Sequence, residues 1–305
     1  MTEDDRNVVV CCTQNEGYPS LKHTLEERMK FGLEVPTTGA YADARVQAQL
    51  ALEAEAAGWD GFFLWDAVLV GSEAIIDPWI ALTTIALQTE HIKIGLLALP
   101  LPRHRPWLVA RQLANLDQLS SGRVICIAGL GDTENSFTAF GEDGSVQVRA
   151  KKLDEGLAIL TGLWEQESFS FAGEHYILKD VTLRPKPVQS PRIPLWAVGG
   201  WPHRAPFRRA ARWDGVCVKG IHLDTGEVTT VEQFRECVAY LRAQRTTDAP
   251  FDIAISGAET PLDREQRYKM VRPFQEAGAT WWIEGGYGIS FDAFQERIRS
   301  GPPRS

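Results

Sequence analysis

The segments KFGLEV, GFFLW, IKIGLLAL and RVICIAG begin at Lys30, Gly61, Ile92 and Arg123, so each start follows the previous one by 31 residues. That interval is too long for a hairpin and long enough for a helix. The stretches between read as amphipathic helices. In DARVQAQLALEAEAAG, Asp43 is placed to cap, Val46, Leu50, Ala54 and Ala57 recur at helical spacing, and Gly58 ends the run. DPWIALTTIALQTE and RPWLVARQLANLDQLSSG repeat the scheme, each with proline near its start. Strand, helix, strand at constant spacing predicts parallel strands joined by right-handed crossovers.

Four more apolar runs follow: PLWAVGG from Pro194, GVCVKG from Gly215, FDIAISG from Phe251 and TWWIEGG from Thr280. Eight β–α units in this span fit a closed (β/α)8 TIM barrel in number and size, with a doubly wound open sheet as the second choice. The interval between the fourth and fifth runs exceeds one helix. It holds VRAKKLDEGLAILTGLWEQ, which reads as a helix, and then Phe169, Phe171, Tyr176, Ile177, Val181 and Leu183 in a hairpin pattern before a proline-punctuated linker. The expectation is an insertion between strands 4 and 5 within one domain.

The chain has 305 residues, 44% of them hydrophobic, which supports a sizeable core. A formal net charge of -8 disfavours nucleic acid as a partner. No apolar stretch approaches the ~20 residues that span a bilayer, and Glu3, Asp4 and Asp5 stand where a secretory signal would be basic. A cytoplasmic protein without membrane contact is expected. The five cysteines, Cys11, Cys12, Cys126, Cys217 and Cys237, form no C-x-x-C and suit reduced thiols. Residues 1–28 show no sustained period, and Leu25-Glu26-Glu27 can be encoded by a purine-rich run of the kind that precedes a bacterial start codon. These residues are therefore expected to be a disordered or mis-assigned extension, with a natural start at Met29 and one domain over 29–305.

In such barrels the active site lies at the carboxyl ends of the strands. The residues there are Asp66, Leu96-Leu97-Ala98, Gly129-Leu130-Gly131-Asp132, Gly199-Gly200-Trp201, Lys219-Gly220, Ser256-Gly257 and Glu284-Gly285-Gly286. Glycine pairs there serve either as tight turns or as places where backbone N–H groups approach a phosphate. Asp66 reads as a turn cap or a catalytic carboxylate. His104 reads as a rim base or a solvated side chain. His203 and Arg204 follow the Gly199-Gly200 turn and are placed to meet a phosphate, whereas Arg208, Arg209 and Arg212 are expected on a solvated face. The histidines lack metal-ligand spacings, so metal chemistry has little support. Trp65, Trp196, Trp201, Trp281 and Trp282 lie at or near strands, either lining a cavity or filling the core.

LANLDQLSSGRVICIAGLGDTENSFTAFG, residues 113 to 141, resembles the strand-four segment of the luciferase-like flavin-dependent oxidoreductases. FAGEHYILKDVTLRPKPVQSPRIPLWAVGG and RRAARWDGV resemble that family's insertion, fifth strand and approach to the sixth. The resemblance runs from Met29 to about Gly220. It implies a flavin-type ring at the strand ends and a cofactor phosphate at Gly199, Gly200, Trp201, His203 and Arg204. It implies cofactor contacts at Gly129, Gly131 and Asn135, and a strand-three bulge at Leu96-Leu97 that often carries a non-prolyl cis peptide. Many members have Asp-His after strand two; here the pair is Asp66-Ala67, and Leu130 replaces a commonly polar residue.

The activity implied is a monooxygenase acting on a small organic substrate with reduced FMN supplied by a separate flavin reductase. Apolar Leu96, Leu97 and Trp201 would exclude water. The alternative is hydride transfer with a deazaflavin coenzyme (F-420). A reading from another class is a barrel enzyme binding a sugar phosphate at Gly285-Gly286 with Glu284 as base. The family commonly forms homodimers through barrel helices.

Overall fold

A computed structural model describes residues 29–221, 226–256, 263–286 and 288–304. The first four apolar runs form β1 (Lys30–Val35), β2 (Gly61–Leu64), β3 (Lys93–Pro100) and β4 (Val124–Gly129), separated by α1 (Ala44–Ala56), α2 (Pro78–Gln88) and α3 (Pro106–Leu119). After β4 come the short α4 (Thr133–Ser136), the long α5 (Val146–Glu165) and an antiparallel pair, β5 (Phe169–Ala172) and β6 (Ile177–Val181). The remaining described elements are β7 (Leu195–Gly199), α6 (Arg204–Ala210), β8 (Gly215–Lys219), α7 (Val231–Gln244), β9 (Asp252–Ser256), α8 (Arg264–Glu276), β10 (Trp281–Gly285) and α9 (Phe291–Ser300). The expected N-terminal extension, the Met29 start, Cys11 and Cys12 all fall on or against residues outside those described.

Among the described strands, β1 to β4 and β7 to β10 close into a parallel barrel, with Lys30 paired to Trp281 across the seam. Closure excludes the open sheet. The helices start as their caps dictate: Asp43 accepts from Arg45 N at 2.8 Å, and Asp77 accepts from Trp79 N and Ile80 N at 2.9 and 3.1 Å. Pro78 at the first turn of α2 forfeits no hydrogen bond there.

The conspicuous LDQLSSGR stretch holds the scaffold together. Buried Asp117 accepts from Val188 N at 2.8 Å and Gln189 N at 3.0 Å, tying the linker before β7 to α3. Arg123 donates to Ala86 O at 2.8 Å, Thr89 O at 2.9 Å and Ser120 O at 2.7 Å, satisfying carbonyls at the carboxyl ends of α2 and α3.

Side chains alternate between two cores. One fills the layer between sheet and helices. The other fills the barrel interior with Phe63, Leu97, Ile125, Ile127, Trp196, Cys217, Ala254, Trp281 and Ile283. Trp281 meets Trp196 edge-on at 5.6 Å and Phe63 at 6.1 Å. Gly61 makes that crowding possible, since a Cβ there would stand 2.7 Å from Phe63 and 2.9 Å from Trp281. The thiols of Cys126 and Cys217 are buried and pushed up to about 12 by burial, as small core residues.

Candidate active site at the barrel mouth

Strand periodicity carries the interior alternation one step further, to the carboxyl ends. Two residues beyond Phe63, Ile127, Trp196, Cys217, Ala254 and Ile283 stand Trp65, Gly129, Val198, Lys219, Ser256 and Gly285. On β1, Gly32 faces inward, because a Cβ there would lie 3.0 Å from Phe63 and 3.4 Å from Ile283, so Glu34 faces inward as well. These residues floor the mouth.

The floor has two halves. On β3, β4 and β7 it is apolar: Leu97, Ala98, Gly129 and Val198. Ala98 is the extra residue of a bulge, since Leu97 pairs with Ile127 and Leu99 with Ala128, and the Leu97-Ala98 peptide is cis. The cis bond was expected at Leu96-Leu97; it lies one residue later. Leu96 itself packs in the helix-facing layer and Leu97 in the interior. A Cβ on Gly129 would lie 3.3 Å from Ala98 and 3.7 Å from Val198, so any side chain at 129 would fill the mouth.

The other half, on β8, β9, β1 and β2, is polar. Lys219 Nζ donates to Glu34 Oε1 at 3.2 Å, and Trp65 Nε1 donates to the same oxygen at 3.1 Å. Ser256 Oγ accepts from Gly220 N at 3.3 Å. Burial opposes the Lys219 charge, but the adjacent Glu34 carboxylate outweighs it, and the ammonium is held above its ordinary value.

A second cluster occupies the rim outside β2 and β3. The Asp66 side chain is only 4% exposed; its carboxylate bonds Arg103 through one oxygen and stands 3.0 Å from His104 Nε2 through the other. Arg103 also donates to Ser136 Oγ at 3.2 Å. Asp66 is thus an ion-pair centre, and His104 is held against it.

The other expected contacts disperse. Gly131 has φ +81°, and a Cβ there would meet Pro100 at 2.7 Å, so this glycine answers to backbone conformation and close packing. Asn135 is exposed, its N–H capped by Asp132 at 2.6 Å. Gly199 lies under α6, where a Cβ would stand 2.5 Å from Pro206; Gly200 O accepts from His203 N at 3.1 Å. Arg204 is exposed with its guanidinium 5.2 Å from the Tyr240 ring. Trp201 is no part of the apolar floor: it packs against Phe207 at 5.5 Å and Tyr240 at 5.8 Å in the helix-facing layer. Arg209 is not solvated either, since it is buried and binds Asp154 at 2.8 Å.

The luciferase-like monooxygenase family model matches residues 29–292. The chain belongs to that family. An F420-dependent glucose-6-phosphate dehydrogenase of Kineococcus radiotolerans is 26% identical over 236 residues, 74% of this chain and 68% of that protein. An FMNH(2)-dependent dimethylsulfone monooxygenase of Pseudomonas putida is 34% identical over 147 residues, 46% of this chain and only 40% of that protein. A solved F420-dependent secondary alcohol dehydrogenase, in complex with an F420-acetone adduct, superposes with a TM-score of 0.73 at 18% identity over 91% of this chain and 100% of that one. That last likeness speaks to the fold.

Within this luciferase-like barrel the sugar-phosphate reading loses its base. Glu284 alternates with inward Ile283 and so faces the helices, where Arg267 holds it at 2.8 Å with both side chains buried. Gly286 answers to packing, because a Cβ there would meet the Phe294 ring at 2.8 Å. Glu34, Arg103 and Ser136 are site residues that the strand-end reading did not name, and it placed Lys219 and Trp65 near the strand ends without giving either a role. The signal for Glu34, Trp65 and Lys219 was parity, two residues past an interior aromatic, cysteine or glycine.

Proposed function

We propose that this luciferase-like protein is a monooxygenase that binds reduced FMN at the barrel mouth and oxidises a small organic substrate. The apolar half of the floor carries the reading: Leu97, Ala98, Gly129 and Val198 present no titratable group and leave the width that the missing Gly129 side chain opens. The lining fits a flavin-type ring, with an apolar wall on one side and the Lys219 ammonium and Ser256 hydroxyl beside the Trp65 indole on the other. Bound reduced FMN supplies the electrons for oxygen chemistry; a separate flavin reductase delivers it in that state. The protein orients the ring, excludes water along β3, β4 and β7, and takes the phosphate near Gly199, Gly200, His203 and Arg204. The FMNH(2)-dependent relative supports the reading. Substrate-dependent oxygen uptake with reduced FMN tests it; uptake that yields only peroxide across a broad substrate panel contradicts it.

One observation favours hydride transfer with a deazaflavin coenzyme instead. Position 67 is alanine, yet His104 brings an imidazole to the same carboxylate from the next loop, 3.0 Å from Asp66. An imidazole oriented by a carboxylate is suited to general acid–base work. Oxygen-insensitive oxidation of an alcohol coupled to deazaflavin reduction decides for this reading.

A further inference from the structure

We propose that Lys219 is the group that holds the negative charge of the reduced ring, and that the Glu34–Lys219 pair makes the site prefer the reduced over the oxidised cofactor. The inference rests on the reading that a flavin-type ring occupies the mouth. An ammonium carries three N–H donors. Among the described residues one side chain, Glu34, hydrogen-bonds it, at 3.2 Å. The Lys219 side chain is 22% exposed and ends a strand whose preceding inward residue, Cys217, is fully buried. Its remaining donors therefore open toward the mouth, on an apolar base that keeps charge interactions strong.

The asymmetry of the floor matches the chemistry of such a ring. A reduced flavin is apolar at its benzenoid edge and anionic, once deprotonated at N1, at its pyrimidine edge; the oxidised flavin ring is neutral. The apolar residues cluster on β3, β4 and β7, and the polar ones on β8, β9, β1 and β2. A cation in the polar half interacts with the reduced ring more strongly than with the oxidised one. Glu34, which also accepts from Trp65 at 3.1 Å, fixes the ammonium and partly offsets its charge. The pair thus sets both the sign and the size of the preference.

The test is anaerobic titration of the full chain with oxidised and reduced FMN, and in parallel with both forms of the deazaflavin coenzyme, following tryptophan fluorescence. The readout is the ratio of the two dissociation constants in wild type, Lys219→Met, Lys219→Arg and Glu34→Gln. Lys219→Met is expected to reduce the preference for the reduced form about tenfold or more, the scale of a hydrogen bond to a charged group. Lys219→Arg should retain most of it, and Glu34→Gln should increase it. An unchanged ratio in Lys219→Met, with wild type binding FMN, overturns the inference and leaves the proposed function standing. Should Lys219→Met not fold, an unchanged or lowered preference in Glu34→Gln overturns it equally. Failure of wild type to bind any of the four ligands overturns both.

Discussion

His104 Nε2 stands 3.0 Å from Asp66 Oδ2, joining the loop after β3 to the end of β2 across 38 residues of sequence. The same carboxylate also binds Arg103, so one side chain holds both the guanidinium and the imidazole. If oxygen chemistry is the activity, His104→Asn is expected to change single-turnover rate less than about tenfold. A loss of 10²–10⁴, the usual weight of a general acid or base, would assign the hydride-transfer reading instead.

Gly129 and Gly199 both end barrel strands, and their substitutions should weigh differently on the melting temperature. Gly129→Leu projects into the mouth beside Ala98 and Val198, so cofactor affinity should fall by about a hundredfold or more with the melting temperature near wild type. Gly199→Ala instead drives a Cβ to 2.5 Å from the Pro206 ring, and urea denaturation should report a loss of about 1–3 kcal/mol.

Glu284 and Arg267 form a buried pair, 3% and 4% exposed, whose removal tests structure alone. Arg267→Met leaves a buried carboxylate short of its main partner, and denaturation should report a loss of about 3–5 kcal/mol. Cofactor affinity measured below the transition should stay within a factor of about three. A large affinity change with intact stability would return Glu284 to the site.

Acid sensitivity has a defined contributor in Glu53, which ties α1 to α9. Its hydrogen bond from Arg299 leads the causes that hold the carboxyl below its ordinary value, against opposing burial. A depressed carboxylate stabilises at pH values above its unfolded pKa, and that contribution is lost as pH falls through the lower folded value. Glu53→Gln should therefore lower neutral-pH stability by up to about 1 kcal/mol and shrink the difference from wild type in acid, read from melting temperatures across the range.

The barrel was legible because apolar runs recur every 31 residues and because caps such as Asp43 and Asp77 mark where helices begin. The site was only partly legible. A strand's alternation defines two faces but not which one closes inward; barrel closure decides that. KFGLEV therefore hid Glu34 at the end of an apolar strand, while TWWIEGG advertised Glu284, which faces the helices. The bulge at Ala98 moved the cis bond one residue from its expected place, because an inserted residue leaves no mark in an apolar run. His104 meets Asp66 through folding of two loops, a proximity no local pattern encodes.

The most direct test of a cofactor site at this mouth is the structure of the protein prepared anaerobically with reduced FMN. The expected result is the ring lying over Leu97-Ala98 and Gly129 with its pyrimidine edge within hydrogen-bond reach of Lys219. A ring bound away from the carboxyl ends of the strands, or a mouth without a ring in protein saturated with reduced FMN, would contradict the assignment.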